Sequence, residues 1–158
     1  MPGKYYEELE PGMNFRHAQG RTISEADNML FCSITMNTQP LHINEDYAAK
    51  TLFGQRIVNG LLTMSLVIGI SVADLTDGTI VANLGYENIK HPQAVFHGDT
   101  IYAETTIVAK RESKSRPDCG IVTLTHLGRN QEGVVVVEIT RSALFLKRPA
   151  DLSVGNTA

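Results

Sequence analysis

From Ile57 to Ala73 the chain runs for 17 residues, IVNGLLTMSLVIGISVA, without a charged side chain. A helix that crosses a bilayer needs about 20 predominantly apolar residues, and this run also contains Asn59, Gly60, Thr63, Ser65, Gly69 and Ser71. It is therefore expected to be a buried helix of a soluble protein, opening at Gly60 and ending near Asp74, with no membrane contact. Such a helix has no polar face to present to water, so apolar structure has to surround it.

The remaining sequence supplies a wrapper. Segments 79–91, 99–112, 119–130 and 134–147 are rich in Val, Ile, Thr and Tyr and read as four long strands. The breaks between them are short and turn-forming: Pro92 with HGDT at 97–100, SRPDCG at 115–120, and NQEG at 130–133. Short connections make the strands antiparallel. Upstream, both Thr22–Glu25 and Ser24–Asp27 fit a helix start, with Met29, Leu30 and Ile34 on its inward face and an end near Met36. Asn44 can cap a second short helix, NEDYAAKTLFG, with Gly54 beyond its end. Residues 37–43 read as a loop, and the first twenty residues as irregular with room for short extended pieces. Helices first and strands later, in one domain over residues 1–158, is an α+β order. An antiparallel sheet curved around one central helix satisfies the uncharged run, and that is the hot-dog architecture.

Composition excludes several classes. The net charge is −3 with no basic stripe, so nucleic acid is not an expected partner. Cys32 and Cys119 stand far apart without a CxxC pattern, which suits reduced thiols and a cytoplasmic location. No second ligand stands at metal spacing beside His91 or His97. The N-terminal MPGKYYEELEPG lacks the apolar core of a signal peptide, and the tail after Pro149 is expected to fray.

Three residues carry candidate chemistry. His42 ends the run TMNTQPLHI (residues 35–43), where Pro40 stiffens the chain. It reads either as a solvent-facing loop histidine or as a general base held beside a buried cavity. Gly60 at the helix start either lets a ligand reach the first-turn N–H groups or permits close packing. Asn37 can hold a water or His42, or simply end a helix in a left-handed conformation.

Three longer words, TMNTQPLHIN, FGQRIVNGLLTMSL and VFHGDTIYAET, resemble the MaoC-like dehydratases, also called R-specific enoyl-CoA hydratases. The resemblance runs from about residue 15 to 147. Pro40, Leu41 and His42 match the family's loop, Val58-Asn59-Gly60 its helix start, and Gly98-Asp99-Thr100 its strand turn. The resemblance implies reversible addition of water to an enoyl-CoA thioester, with His42 activating water and the Gly60 N–H holding the thioester oxygen. Asn37 stands where the family has Asp, so it inherits a supporting role and not that of a base. The words TMNTQPLH, RIVNGLLT and VANLGYENIKHP look like the branch acting on branched C5-dicarboxylic thioesters, mesaconyl- and itaconyl-CoA, where an Asn avoids repelling the second carboxylate.

Arg56, Val58, Asn59 and Leu61, around the helix start, are then candidates for contacting the thioester. Arg56 and Lys90 could also pair with a substrate carboxylate. Lys114 and Arg116, in the basic turn KRESKSRP at 110–117, could meet either that carboxylate or the CoA phosphates, or be a solvated hairpin tip. His91 and His97 read as structural, and His17 and His126 receive no role. No metal or redox cofactor is implied, and CoA enters as part of the substrate. The alternatives are an acyl-CoA thioesterase and a non-catalytic CoA-thioester-binding protein. A lone curved sheet leaves unpaired edges, so a homodimer or higher homo-oligomer is expected.

Overall fold

Burial at every second position defines the sheet's inner face. Ile101, Ala103, Thr105 and Ile107 are buried on one strand, Val122, Leu124, His126 and Gly128 on the next, and Val137, Ile139, Arg141, Ala143 and Phe145 on a third. The computed structural model describes residues 3–149, so the expected fraying after Pro149 lies outside the described residues. Five strands, β1 (Asn14–Thr22), β2 (Ile80–Lys90), β3 (Thr100–Glu112), β4 (Cys119–Arg129) and β5 (Val135–Leu146), form one sheet in the order β1-β3-β4-β5-β2. Every pairing is antiparallel. The helices are α1 (Glu25–Ile34), α2 (Pro40–Ile43), α3 (Glu45–Ala49) and α4 (Gly60–Ile70), the last lying against β1, β3, β4 and β5.

The four expected strands appear within a residue or so of their anticipated limits. β1 was expected to be irregular. It is an edge strand whose buried side chain is His17, so it lacks the apolar alternation that marks a strand in sequence. The α1 start is the Ser24 box: Ser24 Oγ accepts the Asp27 N–H at 3.1 Å and the Asp27 carboxylate accepts the Ser24 N–H at 2.8 Å. Its inward face differs from the expectation. Asn28 and Cys32 are buried, while Leu30 and Ile34 are 64% and 71% exposed. Residues 37–43 are not all loop, because Pro40 at the first helical position starts the short α2.

The uncharged helix ends at Ile70 and passes into a π-helical turn, Val72–Thr76. Thr63, Met64, Val67 and Ile70 are buried, but Leu61, Ser65 and Gly69 form an open stripe. The chain's own sheet thus covers one side of α4 and not all of it.

A polar belt crosses the core. Arg141 Nε donates to His126 Nε2 at 2.9 Å, so the His126 proton sits on Nδ1 and is donated to Thr105 Oγ1 at 2.8 Å. The Thr105 hydroxyl then donates to His17 Nε2 at 2.8 Å, and His17 Nδ1 donates to the Asp74 carboxylate at 2.7 Å. Arg141 Nη1 donates in turn to Asn83 on β2 at 3.3 Å, so the belt touches all five strands. It separates an apolar cluster around Val67, Ile101 and Ile139 from a second around Leu9, Leu75 and Phe145.

Burial, then the charge of Arg141, holds His126 down at a pKa of about 3. Unfolded, the same ring titrates near ~6.5. Folding therefore benefits fully from the neutral ring above that pH and loses the benefit as pH falls toward about 3. Urea unfolding of the parent is expected to weaken across this window by about 1.4 kcal/mol per pH unit more steeply than that of a His126→Asn variant. Equal slopes would show that His126 is not held neutral.

Candidate active site

Helix α1 closes in a left-handed turn at Met36, with φ of 54°. The Met36 N–H donates to Ser33 O at 3.2 Å and the Asn37 N–H to Cys32 O at 2.9 Å, the pattern of a Schellman cap. The left-handed residue is thus Met36 and not Asn37. The Asn37 side chain accepts the Gln39 N–H at 3.1 Å, which turns the chain into α2.

α2 presents His42. Its Nδ1 lies 2.9 Å from the Ile57 carbonyl, which can only accept, so Nδ1 is the protonated nitrogen and Nε2 keeps its lone pair. The Ile57 N–H donates to Leu41 O at 3.1 Å, and the Val58 N–H to Val95 O at 2.8 Å. The chain from 57 to 59 is thereby strung between α2 and the segment before β3, and it delivers α4 beside the imidazole.

Asn59, 3% exposed, caps α4. Its side-chain oxygen accepts the Leu61 N–H at 2.9 Å, and its carbonyl accepts those of Leu62 and Thr63 at 3.0 and 3.2 Å. Among the described residues no acceptor meets the Gly60 N–H. One first-turn donor is left open, at the positive end of the helix.

Gly60 also permits close packing. A Cβ there would come within 3.1–3.3 Å of the His91 ring.

His42, Gly60 and His91 line a cavity of about 590 Å³ with Thr63, Gln93 and an apolar wall that includes Phe53, Ile57, Val58, Val95, Phe96 and Val136. Among the described residues no Asp, Glu, Lys or Arg lines it. Burial pushes the His91 pKa down, which favours its neutral form. The hydroxyl of Thr63, a residue 1% exposed, has no hydrogen-bond partner among the described residues.

A family model described as the MaoC-like domain matches residues 7–130. The chain belongs to the MaoC-like domain family. It is 30% identical to the mesaconyl-CoA hydratase of Cereibacter sphaeroides over 92% of its own length, but spans 42% of that relative. It is 36% identical to the (R)-specific enoyl-CoA hydratase of Rhodospirillum rubrum over 65% of this chain and 69% of that one. A conserved hypothetical protein of Mycobacterium tuberculosis with a double hot-dog fold superposes with a TM-score of 0.83 at 26% identity, covering 97% of this chain and 47% of that one. The fold is the hot-dog anticipated from the sequence.

Within this MaoC-like fold the sequence candidates separate. His42, Val58 and Gly60 meet at the cavity, and Asn59 shapes its rim as the cap. Leu61 points outward, 56% exposed, and Asn37 does not line the cavity.

Arg56 does not line it either. Its Nη2 and Nε each donate to a carboxylate at 2.6 Å, from Glu25 and Glu45, and these bonds raise its pKa. The guanidinium ties the starts of α1 and α3 together and is not free for a substrate. Lys114 and Arg116 lie in the β3–β4 turn, at the end of β4 that pairs with Leu146, whereas the cavity sits near Val136 at the other end. Arg116 is occupied by Asp118 at 2.7 Å.

Sequence reasoning passed over Asn28, Thr63 and His91. His91 was read as structural because no metal partner flanks it, and nothing local reveals that it folds over Gly60.

A buried hydroxyl without a partner costs about 1–3 kcal/mol. Thr63→Val, which replaces it with a methyl of the same shape, is expected to raise the unfolding free energy by about 1 kcal/mol. A urea midpoint that falls instead would mean that the hydroxyl is bonded in solution.

Proposed function

We propose that the protein hydrates an enoyl-CoA thioester reversibly. The observation that carries this reading is the bond from His42 Nδ1 to the Ile57 carbonyl, which leaves the lone pair to Nε2 in a residue that lines the same cavity as Gly60. Water gives a proton to Nε2 as its oxygen bonds to the β-carbon. The electron pair moves to the thioester oxygen, where the Gly60 N–H and the positive end of α4 stabilise the enolate. The α-carbon then takes the proton back from the imidazolium. The apolar wall excludes competing water.

The relatives named as mesaconyl-CoA hydratases support a branched C5-dicarboxylic acyl group. The lining agrees in one respect: a second carboxylate meets no Asp or Glu there.

Incubation with mesaconyl-CoA is expected to bleach the enoyl absorbance without releasing free thiol, and His42→Ala to lower the rate by about 10²–10⁴-fold. Thiol release with the double bond retained would favour a thioesterase. Turnover of crotonyl-CoA alone would remove the dicarboxylate.

The assembly read from sequence, a homodimer or larger, gains support from two open surfaces. The edge strand β2 exposes Val81, Leu84, Tyr86 and Ile89, and α4 exposes the Leu61–Ser65–Gly69 stripe. Light scattering is expected to return at least twice the mass of one chain. A monomer at micromolar concentration would contradict it.

A further inference from the structure

Asn28 lies on α1, fully buried, outside the cavity lining. Its amide nevertheless reaches both halves of the site. Oδ1 accepts the main-chain N–H of Asn59 at 2.9 Å. That donor can only donate, so it fixes which atom of the amide is oxygen. Nδ2 then faces three acceptors: His97 Nε2 at 3.0 Å, and the carbonyls of His42 and Ile57, both at 3.4 Å.

Each contact bears on the chemistry. The His42 carbonyl belongs to the residue that carries the base. The Ile57 carbonyl is the same atom that receives His42 Nδ1–H and so sets the tautomer. Asn59 is the cap of α4, and the next residue carries the open N–H. His97 anchors the amide from the segment before β3.

We propose that Asn28 is the positioning residue of the active site, fixing the separation between His42 Nε2 and the Gly60 N–H and holding His42 in its Nδ1–H tautomer. The proposal rests on the hydratase reading for its kinetic effect. Its effect on the tautomer is independent of that reading.

A side chain that only fills the core would be replaceable by any group of its volume. Asn28 is needed because it supplies one acceptor and two donors at a point where a main-chain N–H and three lone pairs converge. Asp has the same shape and keeps the acceptor for Asn59, but its second oxygen faces acceptors where the amide donated. Asn28→Asp is therefore the isosteric variant and Asn28→Ala the deletion, each taken at a temperature where its unfolding curve shows it folded. Ile107→Val, in the apolar cluster on the far side of the polar belt, serves as a control for general loss of stability.

Two measurements test the proposal. In steady-state hydration of mesaconyl-CoA, with crotonyl-CoA as the alternative substrate, Asn28→Asp and Asn28→Ala are expected to lower kcat by about 10²-fold, the effect of misplacing reacting groups by about 1 Å. KM should stay within about threefold, and Ile107→Val should keep the parental kcat. In long-range 1H–15N spectra the His42 ring, assigned with His42→Ala, is expected to be the Nδ1–H tautomer in the parent and a mixture of tautomers in the Asn28→Asp variant. Parental kcat in both Asn28 variants, or an unchanged His42 tautomer in Asn28→Asp, would overturn it. A parent that hydrates neither thioester would overturn the hydratase reading, while the spectra would still decide the role of Asn28.

Discussion

The bond from His42 Nδ1 to the Ile57 carbonyl is the constraint from which the site follows. A neutral imidazole has one donor and one acceptor, and which nitrogen plays which part depends on the partner it is given. A carbonyl can only accept, so in the neutral ring the lone pair is on the other nitrogen of this cavity-lining residue. Pro40 begins the short helix that presents the ring, and the Schellman turn at Met36 begins the path to it. The bonds of residues 57 and 58 to Leu41 and Val95 then bring the start of α4 alongside. The exposed loop chemistry and the buried helix are thus parts of one local hydrogen-bonding system.

Among the described residues no charged side chain lines the cavity at its centre. The charged groups nearby are consumed in holding secondary structure, as Arg56 is by Glu25 and Glu45. The cavity itself is furnished with neutral donors and apolar walls. A weak interior dielectric strengthens whatever hydrogen bonds a substrate makes there. The open Gly60 N–H is what remains after Asn59 has satisfied the rest of the first turn.

Much of this was legible in the sequence, and the parts that were not share a cause. The strands from Ile80 onward announce themselves by β-branched residues and by turn glycines such as Gly78, Gly98 and Gly133, all with positive φ. The uncharged run identified α4, and the Pro-Leu-His word identified the loop. Side-chain partners at long separation were invisible. The inward face of α1 was assigned to Leu30 and Ile34 because apolar residues usually face inward, yet Asn28 and Cys32 took that place. An asparagine earns a core position only through acceptors and donors 14 to 69 residues away. Arg56 looked available because its two carboxylates lie 11 and 31 residues off.

The belt from Arg141 to Asp74 has a direction, since each group hands a proton to the next and none can reverse without stranding a neighbour. This makes it a proofreading device for strand alignment. Arg141 faces Leu124 and reaches His126 diagonally, so if β4 slid by two residues to bring Val122 opposite Arg141, Leu124 would take the place of the imidazole. A sheet mispaired in that direction would bury the Arg141 Nε–H without its imidazole acceptor, a penalty that apolar packing alone would not impose. The two greasy halves of the core could each accept that neighbouring alignment; the hydrophilic seam between them opposes it.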